Sequence, residues 1–426
     1  MWPESASKGD QMTGGGEAFE LSEDVMTVVS GANQAGVRAY NERLILSLVR
    51  RYRQLSKVEV ARVTGLSVQS TSAIMNRLQA DGLLRREAPM RGRVGQPTVP
   101  LSLDPEGAFS LGVKIGRRSC DLVLVDFDGK VRQRARETYA FPTPENVFDF
   151  MARRLPEFSR GLSRRQHQRV AGVGIATPFQ LWNWDAETGA PPGALEVWRS
   201  IDIGAEAAKV CDWPVTIFND ATSACAAEFF FGDAWRHRDF IYFFVGSFVG
   251  GGLVLDGALY PGRTGNAAAI GSMPLRPLNA DDGRIVQLIS AASIYQLERR
   301  LSVAGIDPST IWRTPDAWGD IGGHLDAWIE EAAYALAYAC AAAIAVIDVK
   351  AAIVDGAIPS NVRNWLVARV AHHFATLDQR GLSDLTIEAG SIGADARAIG
   401  AAALPLIKNF ARDREVLFKD APTGPA

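Results

Sequence analysis

The sequence predicts an α/β protein in which a small basic helix-turn-helix module precedes a larger body that repeats one mixed α/β design. Three observations carry this expectation. Residues 41–100 hold eleven Lys/Arg against four acids, net +7, while the remaining residues hold thirty-four bases against forty-four acids, net −10. That is the footprint of a small domain that meets a polyanion, joined to a large one that does not. Thr64-Gly65-Leu66-Ser67 separates two segments of helical spacing. Finally, two strand–turn–strand patterns, over 108–126 and 241–255, recur with helical stretches between them, which implies a duplicated body with a cleft between its halves.

Composition bounds the rest. A chain of 426 residues, 47% of them hydrophobic, has enough length for two or three cores and excludes global disorder. Cys120, Cys211, Cys225 and Cys340 lie far apart, without the spacing of a disulfide framework or a thiolate zinc site, and suit a reducing compartment. The apolar run Ala332 to Ile347 is short of the ~20 residues of a membrane span and reads as a buried helix. Glu4, Asp10 and Glu17 around three consecutive glycines do not make a secretory signal. A cytoplasmic protein with no membrane partner is expected.

Residues 1–32 read as a flexible tail, 33–100 as the DNA-binding domain and 101–426 as a two-lobed body. Helical spacing from Asn33 to Arg53 predicts a first helix. Ser56, with Glu59 three residues later, predicts a capping box for a second. Gly65 suits a turn, and Ser67 caps a third helix over Val68 to Ala80, which Asp81-Gly82 ends. Val68, Ile74, Met75 and Leu78 are available inward. Ser67, Gln69, Ser70, Thr71, Ser72, Asn76 and Arg77 are the candidates for contact with duplex DNA, because short polar groups near a helix N-terminus can reach base edges and phosphates. Leu83 and Leu84, followed by Arg85, Arg86, Arg91 and Arg93, read as a strand pair with a basic wing; Arg91 and Arg93 are candidates for backbone or minor-groove contact.

At this point the run from Asn41 through Glu87, continued by Gly92 to Val113, resembles the winged helix-turn-helix and exit segment of repressors of the ROK type (repressor, open reading frame, kinase). The resemblance extends to Pro405. It implies a sugar-kinase-like body of the actin/hexokinase type. Where the kinases of that family carry Asp-x-Gly-Gly-Thr, this chain has Lys114-Ile115-Gly116-Arg117-Arg118. Where they carry Gly-Thr-Gly-Ile-Gly-Gly-Gly, it has Gly246-Ser247-Phe248-Val249-Gly250-Gly251-Gly252. Backbone N–H groups cradle phosphate only where side chains are small, so both turns should handle phosphate and metal badly. The remaining glycines fit either retained turn geometry or a nucleotide site.

Phe218-Asn219-Asp220-Ala221 resembles the family's Glu-Asn-Asp-Ala segment, whose Asp in kinases deprotonates the sugar hydroxyl and whose Asn orients the sugar. Asn219 and Asp220 are therefore effector-binding candidates; the alternative is that Asp220 caps the next helix. The family's sugar-contacting Glu and His correspond to Ala269 and Ser272, and its Cys-rich zinc segment has no Cys or His counterpart between Met273 and Leu288. No metal and no cofactor are expected. Trp182, Asn183, Trp184 and Trp198 fall in stretches resembling sugar-proximal loops. Asn183 and Trp198 join the effector candidates, with core packing an equal account of each Trp. The implied function is a DNA-binding transcriptional regulator, by family resemblance a repressor of carbohydrate uptake or catabolism genes. It would be non-enzymatic, a homodimer or homotetramer, and controlled by a sugar-like effector. The competing readings are an active ROK kinase with an appended DNA-binding domain, and a constitutive DNA-binding or scaffold protein that has lost all ligand.

Overall fold

The computed structural model describes residues 34–89, 98–278, 283–313, 317–318 and 321–412. The expected tail over 1–32, and Arg91 and Arg93, lie outside the described residues. The described residues fall in two units, one of them reaching to residue 40 and the other beginning at residue 41. Of the first, the described part is residues 34–40, the opening turns of helix α1 (Gln34–Tyr52). Everything that follows belongs to the second.

Ser56 Oγ accepts from the Glu59 N–H, and Glu59 reaches back to Ser56, so the expected capping box opens α2 (Lys57–Thr64). Gly65 ends it with φ of +72°, a left-handed conformation that a Cβ disfavours. Ser67 then caps α3 (Val68–Ala80). Ile45, Leu46 and Val49 of α1 are buried with Val60, Ile74, Met75 and Leu78 in the small core. Three short strands, β1 (Gln54–Leu55), β2 (Leu84–Arg86) and β3 (Leu101–Leu103), form the sheet β1-β3-β2. Its last strand starts beyond the boundary expected at residue 100, because Leu101 and Leu103 bury against the winged core.

The body carries two five-stranded sheets of the same construction. In the first lobe β4 (Phe109–Ile115), β5 (Ser119–Asp126), β6 (Val131–Thr138), β7 (Val170–Thr177) and β8 (Val215–Asn219) take the order β6-β5-β4-β7-β8. The β4/β5 and β5/β6 pairs are antiparallel; β4/β7 and β7/β8 are parallel. In the second lobe β9 (Phe240–Val245), β10 (Val249–Leu255), β11 (Ala258–Leu259), β12 (Ala351–Gly356) and β13 (Thr386–Ala389) repeat both the order and the sense of every pairing. The expected duplication is thus literal at the level of topology. Gly323–Ile344 forms a mostly apolar helix in the second lobe's core, as the alanine-rich run predicted. No helix among the described residues is long and apolar enough to cross a membrane.

Two helices matter most for function. They are α5 (Asp220–Phe230) and α9 (Ala396–Phe410); the other long helices of the body are α4 (Pro144–Arg160), α6 (Ile294–Val303), α7 (Gly323–Ile344) and α8 (Ser360–Ala375). A Cβ on Gly400 of α9 would lie 1.7 Å from the Ser223 carbonyl oxygen of α5, so the two helices meet backbone to backbone. One hydrophobic cluster runs without a break from Ile45 and Val49 of the winged domain to Phe127, Phe230, Ala402 and Leu406 of the body.

Candidate functional site

Strand β8 delivers Asn219 and Asp220 to the cleft between the lobes, where a cavity of about 260 Å³ opens at the head of α5. Asn219 Oδ1 accepts from the N–H groups of Ala221 (3.0 Å) and Thr222 (3.3 Å), so the cap of α5 is Asn219. That removes the capping role considered for Asp220. The Asp220 carboxylate instead accepts from Arg397 Nη1 at 3.1 Å, an ion pair whose two side chains are both largely buried on the cavity wall. Asn183 also lines this cavity and is exposed; its Nδ2 donates to Gln180 Oε1 at 3.0 Å. Trp198 does not line this cavity but a neighbouring one, which it shares with Asn219, Ile217 and Trp182. It is 3% exposed, and its indole N–H is spent on the Pro142 carbonyl at 2.8 Å, so its polar atom belongs to the first lobe's core.

The two turns are filled from within. Lys114 lies buried behind the first one, its Nζ donating to Asp121 Oδ2 (2.9 Å) and Ser119 Oγ (3.1 Å). A Cβ on Gly116 would stand 2.4 Å from Lys114 Cε, so the lysine stem occupies the space beneath the turn. Burial pulls the Lys114 ammonium below its ordinary pKa. For Asp121 burial acts upward, but Lys114 and Arg136 outweigh it and hold the carboxyl below its usual range. Arg117 and Arg118 leave the turn altogether and cross to Glu298 of α6 in the other lobe, at 2.9 and 3.0 Å, where the Trp312 indole N–H also donates.

At the second turn Phe248 stacks on Trp184 of the first lobe, with centroids 5.1 Å apart and planes at 26°. The neighbouring glycines are explained by packing. Cβ atoms on Gly250, Gly251 and Gly252 would meet Ala221, Ile270 and Cys225 at 2.7, 2.3 and 2.3 Å. Gly250 and Gly252 let β10 lie directly on α5, while Gly251 faces Ile270 on the opposite side of the sheet. Ala269 and Ser272 line the cavity without supplying a carboxylate or an imidazole. The described residues include no cluster of three or more His, Cys, Asp or Glu arranged to hold a metal.

On α3, Ser67, Gln69, Ser70 and Asn76 are exposed and Ser72 half-exposed. Ser67 Oγ accepts from the Ser70 N–H and donates to Ser70 Oγ, and Asn76 Oδ1 accepts from Lys57 Nζ at 2.6 Å. Thr71 is a correction: it is fully buried, because helical spacing turns it to the same side as Ile74, Met75 and Leu78. Arg77 is half-buried and donates to Glu42 of α1 at 2.9 Å, so its guanidinium joins two helices.

Several partners escaped the sequence reading. Arg397 was readable only as a lone charge in the apolar run of α9, Glu298 only as an acid beside the buried Ile294, Leu297 and Leu301. Arg50 gave no signal beyond the basic end of α1. It is inserted between Phe127, Phe230 and Phe231 of the body, with its guanidinium carbon 3.9 Å from the Phe230 ring centroid and Nη1 donating to the Phe127 carbonyl at 2.7 Å. Burial lowers its pKa to about 9. At the other end of the winged domain, Arg169 of the first lobe donates to the Asp81 and Gly82 carbonyls at 2.8 and 3.2 Å, where α3 ends.

A winged helix-turn-helix joined to a two-lobed body that repeats one strand order defines a class: a DNA-binding module carried by a sugar-kinase-type fold. Residues 110–407 match the ROK family and residues 38–85 the winged helix-turn-helix DNA-binding family, and the chain belongs to the ROK family. It is 26% identical to the uncharacterized protein y4fQ of Sinorhizobium fredii, over 87% of this chain and 91% of that one. It is 23% identical to the xylose repressor of Bacillus subtilis and to the DNA-binding transcriptional dual regulator NagC of Escherichia coli, over 57% of this chain in both cases. Those matches span 62% and 59% of the two regulators. Among solved structures, a ROK family transcriptional regulator homologous to the E. coli MLC protein superposes with a TM-score of 0.62 at 19% identity, covering 90% of this chain and 99% of that one. A ROK family glucokinase from Streptomyces griseus, solved with glucose and AMPPNP, gives 0.53 at 22% identity, covering 70% and 99%. Both share the fold.

Proposed function

We propose that the protein is a cytoplasmic, homo-oligomeric transcriptional repressor of carbohydrate uptake or catabolism genes. Its kinase-like body binds a sugar-like effector and does not phosphorylate it. The observation that carries this reading is the course of α5: its cap Asn219 and first residue Asp220 line the cavity, and its last residue Phe230, with Phe231 just beyond, holds Arg50 of the winged domain. A ligand that moves the head of α5 acts on the base of the DNA-binding module through one rigid element. Such a ligand shifts operator affinity by its differential affinity for the two arrangements, typically ~1–3 kcal/mol or ~5–150-fold.

Gln69, Ser70, Ser72 and Asn76 are the residues proposed to read DNA, with Ser67 at the helix N-terminus contacting phosphate. The absence of phosphoryl transfer is supported by Lys114 filling the first turn and by Phe248 and the packed glycines closing the second. The test has two arms on the full chain. Selection from fragmented genomic DNA should enrich a discrete duplex site near sugar transport or catabolism genes, and its binding should respond to a sugar or sugar derivative. Incubation with labelled ATP and common hexoses should transfer no label. Binding without sequence preference would refute the regulator, and turnover abolished by Asp220→Asn would establish the kinase reading instead.

A further inference from the structure

The cavity wall carries two guanidiniums, Arg117 and Arg397, against one carboxylate, Asp220, and bases outnumber acids in the ion pairs around it. Five bases share three carboxylates: Arg117 and Arg118 share Glu298, Lys114 and Arg136 share Asp121, and Arg397 takes Asp220. Two of the five, Arg117 and Arg397, line the cavity itself. Each spends a single nitrogen, Arg117 Nη1 on Glu298 at 2.9 Å and Arg397 Nη1 on Asp220 at 3.1 Å. The Nε of each is buried and has no acceptor among the described residues. A guanidinium carries five N–H donors in a planar fork that matches a carboxylate or phosphate two bonds at a time, and leaving buried donors unmet is unfavourable.

The rest of the lining points the same way. Phe179, Leu181, Phe244, Phe248, Val249 and Ile289 make much of the wall apolar. Among such walls the attraction between an anion and two guanidiniums is screened far less than at the surface. Amides and hydroxyls of Gln180, Asn183, Asn219, Asn266, Ser247 and Ser272 also line the cavity and can bond hydroxyls, but none of them offers the second negative charge that would match two guanidiniums. The cavity, at about 260 Å³, falls below the ~300–1,000 Å³ of drug-sized sites and suits a monosaccharide-sized ligand.

We propose that the ligand of this site is a small sugar derivative bearing an anionic group, a sugar acid or a sugar phosphate. Its anion lies between Arg117 and Arg397, and a hydroxyl donates to Asp220. This deepens the effector reading above and rests on it. An anion on the Arg117 fork competes with Glu298, so occupancy loosens the bridge between the lobes at the moment it fills the cleft.

The experiment is calorimetry on the full chain with matched pairs: glucuronate against glucose, galacturonate against galactose, glucose 6-phosphate against glucose, ribose 5-phosphate against ribose. In at least one pair the charged member should bind more than ~10-fold tighter than its neutral twin, with an affinity that falls as salt is added. The carboxylate and phosphate arms separate the two sources of the anion. Arg397→Gln and Arg117→Gln should each shrink that preference, and Arg397→Lys should restore part of it, with thermal melts showing which variants fold. Equal affinity within every pair, no binding by any charged member, or a preference that persists in both Gln variants overturns the proposal. A selected DNA site whose binding responds to a neutral sugar would leave the repressor reading standing while this one fails.

Discussion

The guanidinium of Arg50 lies 3.9 Å above the ring of Phe230, which places a residue of the winged domain's first helix on the last residue of the helix that begins at the cavity. Arg50→Ala removes a half-buried charge-assisted hydrogen bond and its aromatic contacts, together worth about 2–4 kcal/mol. We expect the winged domain to melt ahead of the body in the variant, whereas the native chain melts them together. Hydrogen exchange over residues 57–80, compared with residues 240–255, checks it: uniform protection in both segments would show that Arg50 does not tie them.

Thr71 and Arg77 should behave unlike their exposed neighbours. Thr71 Oγ1 is buried with no hydrogen-bond partner among the described residues, so Thr71→Val should leave DNA binding intact and raise stability by up to ~1 kcal/mol. Arg77→Ala should lower stability by breaking the link to Glu42. Gln69→Ala and Asn76→Ala should change preference between operator sequences with little effect on melting. Binding titrations against two selected sites, run beside thermal melts, separate the groups.

Gly400→Ala is expected to destabilise the body by about 3 kcal/mol or more, since the added methyl would fall on the Ser223 carbonyl and neither backbone can withdraw. Gly189→Ala makes the control: there a Cβ meets nothing within 4 Å, although φ of +76° leaves a strain of about 1 kcal/mol. Denaturant midpoints of the two variants should differ clearly, and equal midpoints would contradict the backbone contact.

Acid should expose the Lys114–Asp121 pair. Asp121 is held below its ordinary pKa in the folded state, so its stabilisation is present above the usual carboxylate range and is lost as pH falls through the lowered folded value. Melting temperature should therefore drop more steeply between about pH 5 and pH 3 in the native chain than in Asp121→Asn, even though the variant is less stable at pH 7 for leaving Lys114 buried without its counter-ion. Parallel slopes would show that Asp121 is not the titrating group.

The sequence made the scaffold legible where the signal was local. Ser56, Glu59, Gly65 and Ser67 fix the helix-turn-helix through contacts no more than four residues long, and the two hairpins announce the duplication through alternating apolar runs. Asn219 and Asp220 were legible as a pair only through the resemblance of their segment to the family's, and their division of labour was not, because it depends on Arg397, 177 residues further on. Thr71 shows the opposite failure. A small polar residue one turn before Ile74 and Met75 reads as surface by type and as core by spacing, and the spacing wins. Trp198 could be placed near the cavity by its segment, yet the partner that fixes its indole, Pro142, is 56 residues earlier.

At 1.5 Å per residue the eleven residues of α5 make a rod of about 16 Å, held by the close approach of Gly400 on α9 and of Gly250 and Gly252 on β10. Such a rod is a lever. A tilt of about 5° at the cavity end displaces the far end by about 1.4 Å, and helix shifts of about that size repack interfaces elsewhere. Because Arg50 rides on that far end while Arg169 pins the close of α3, such a displacement would turn the winged domain about the Arg169 contact and change the angle at which α3 is presented without unfolding any part of that domain.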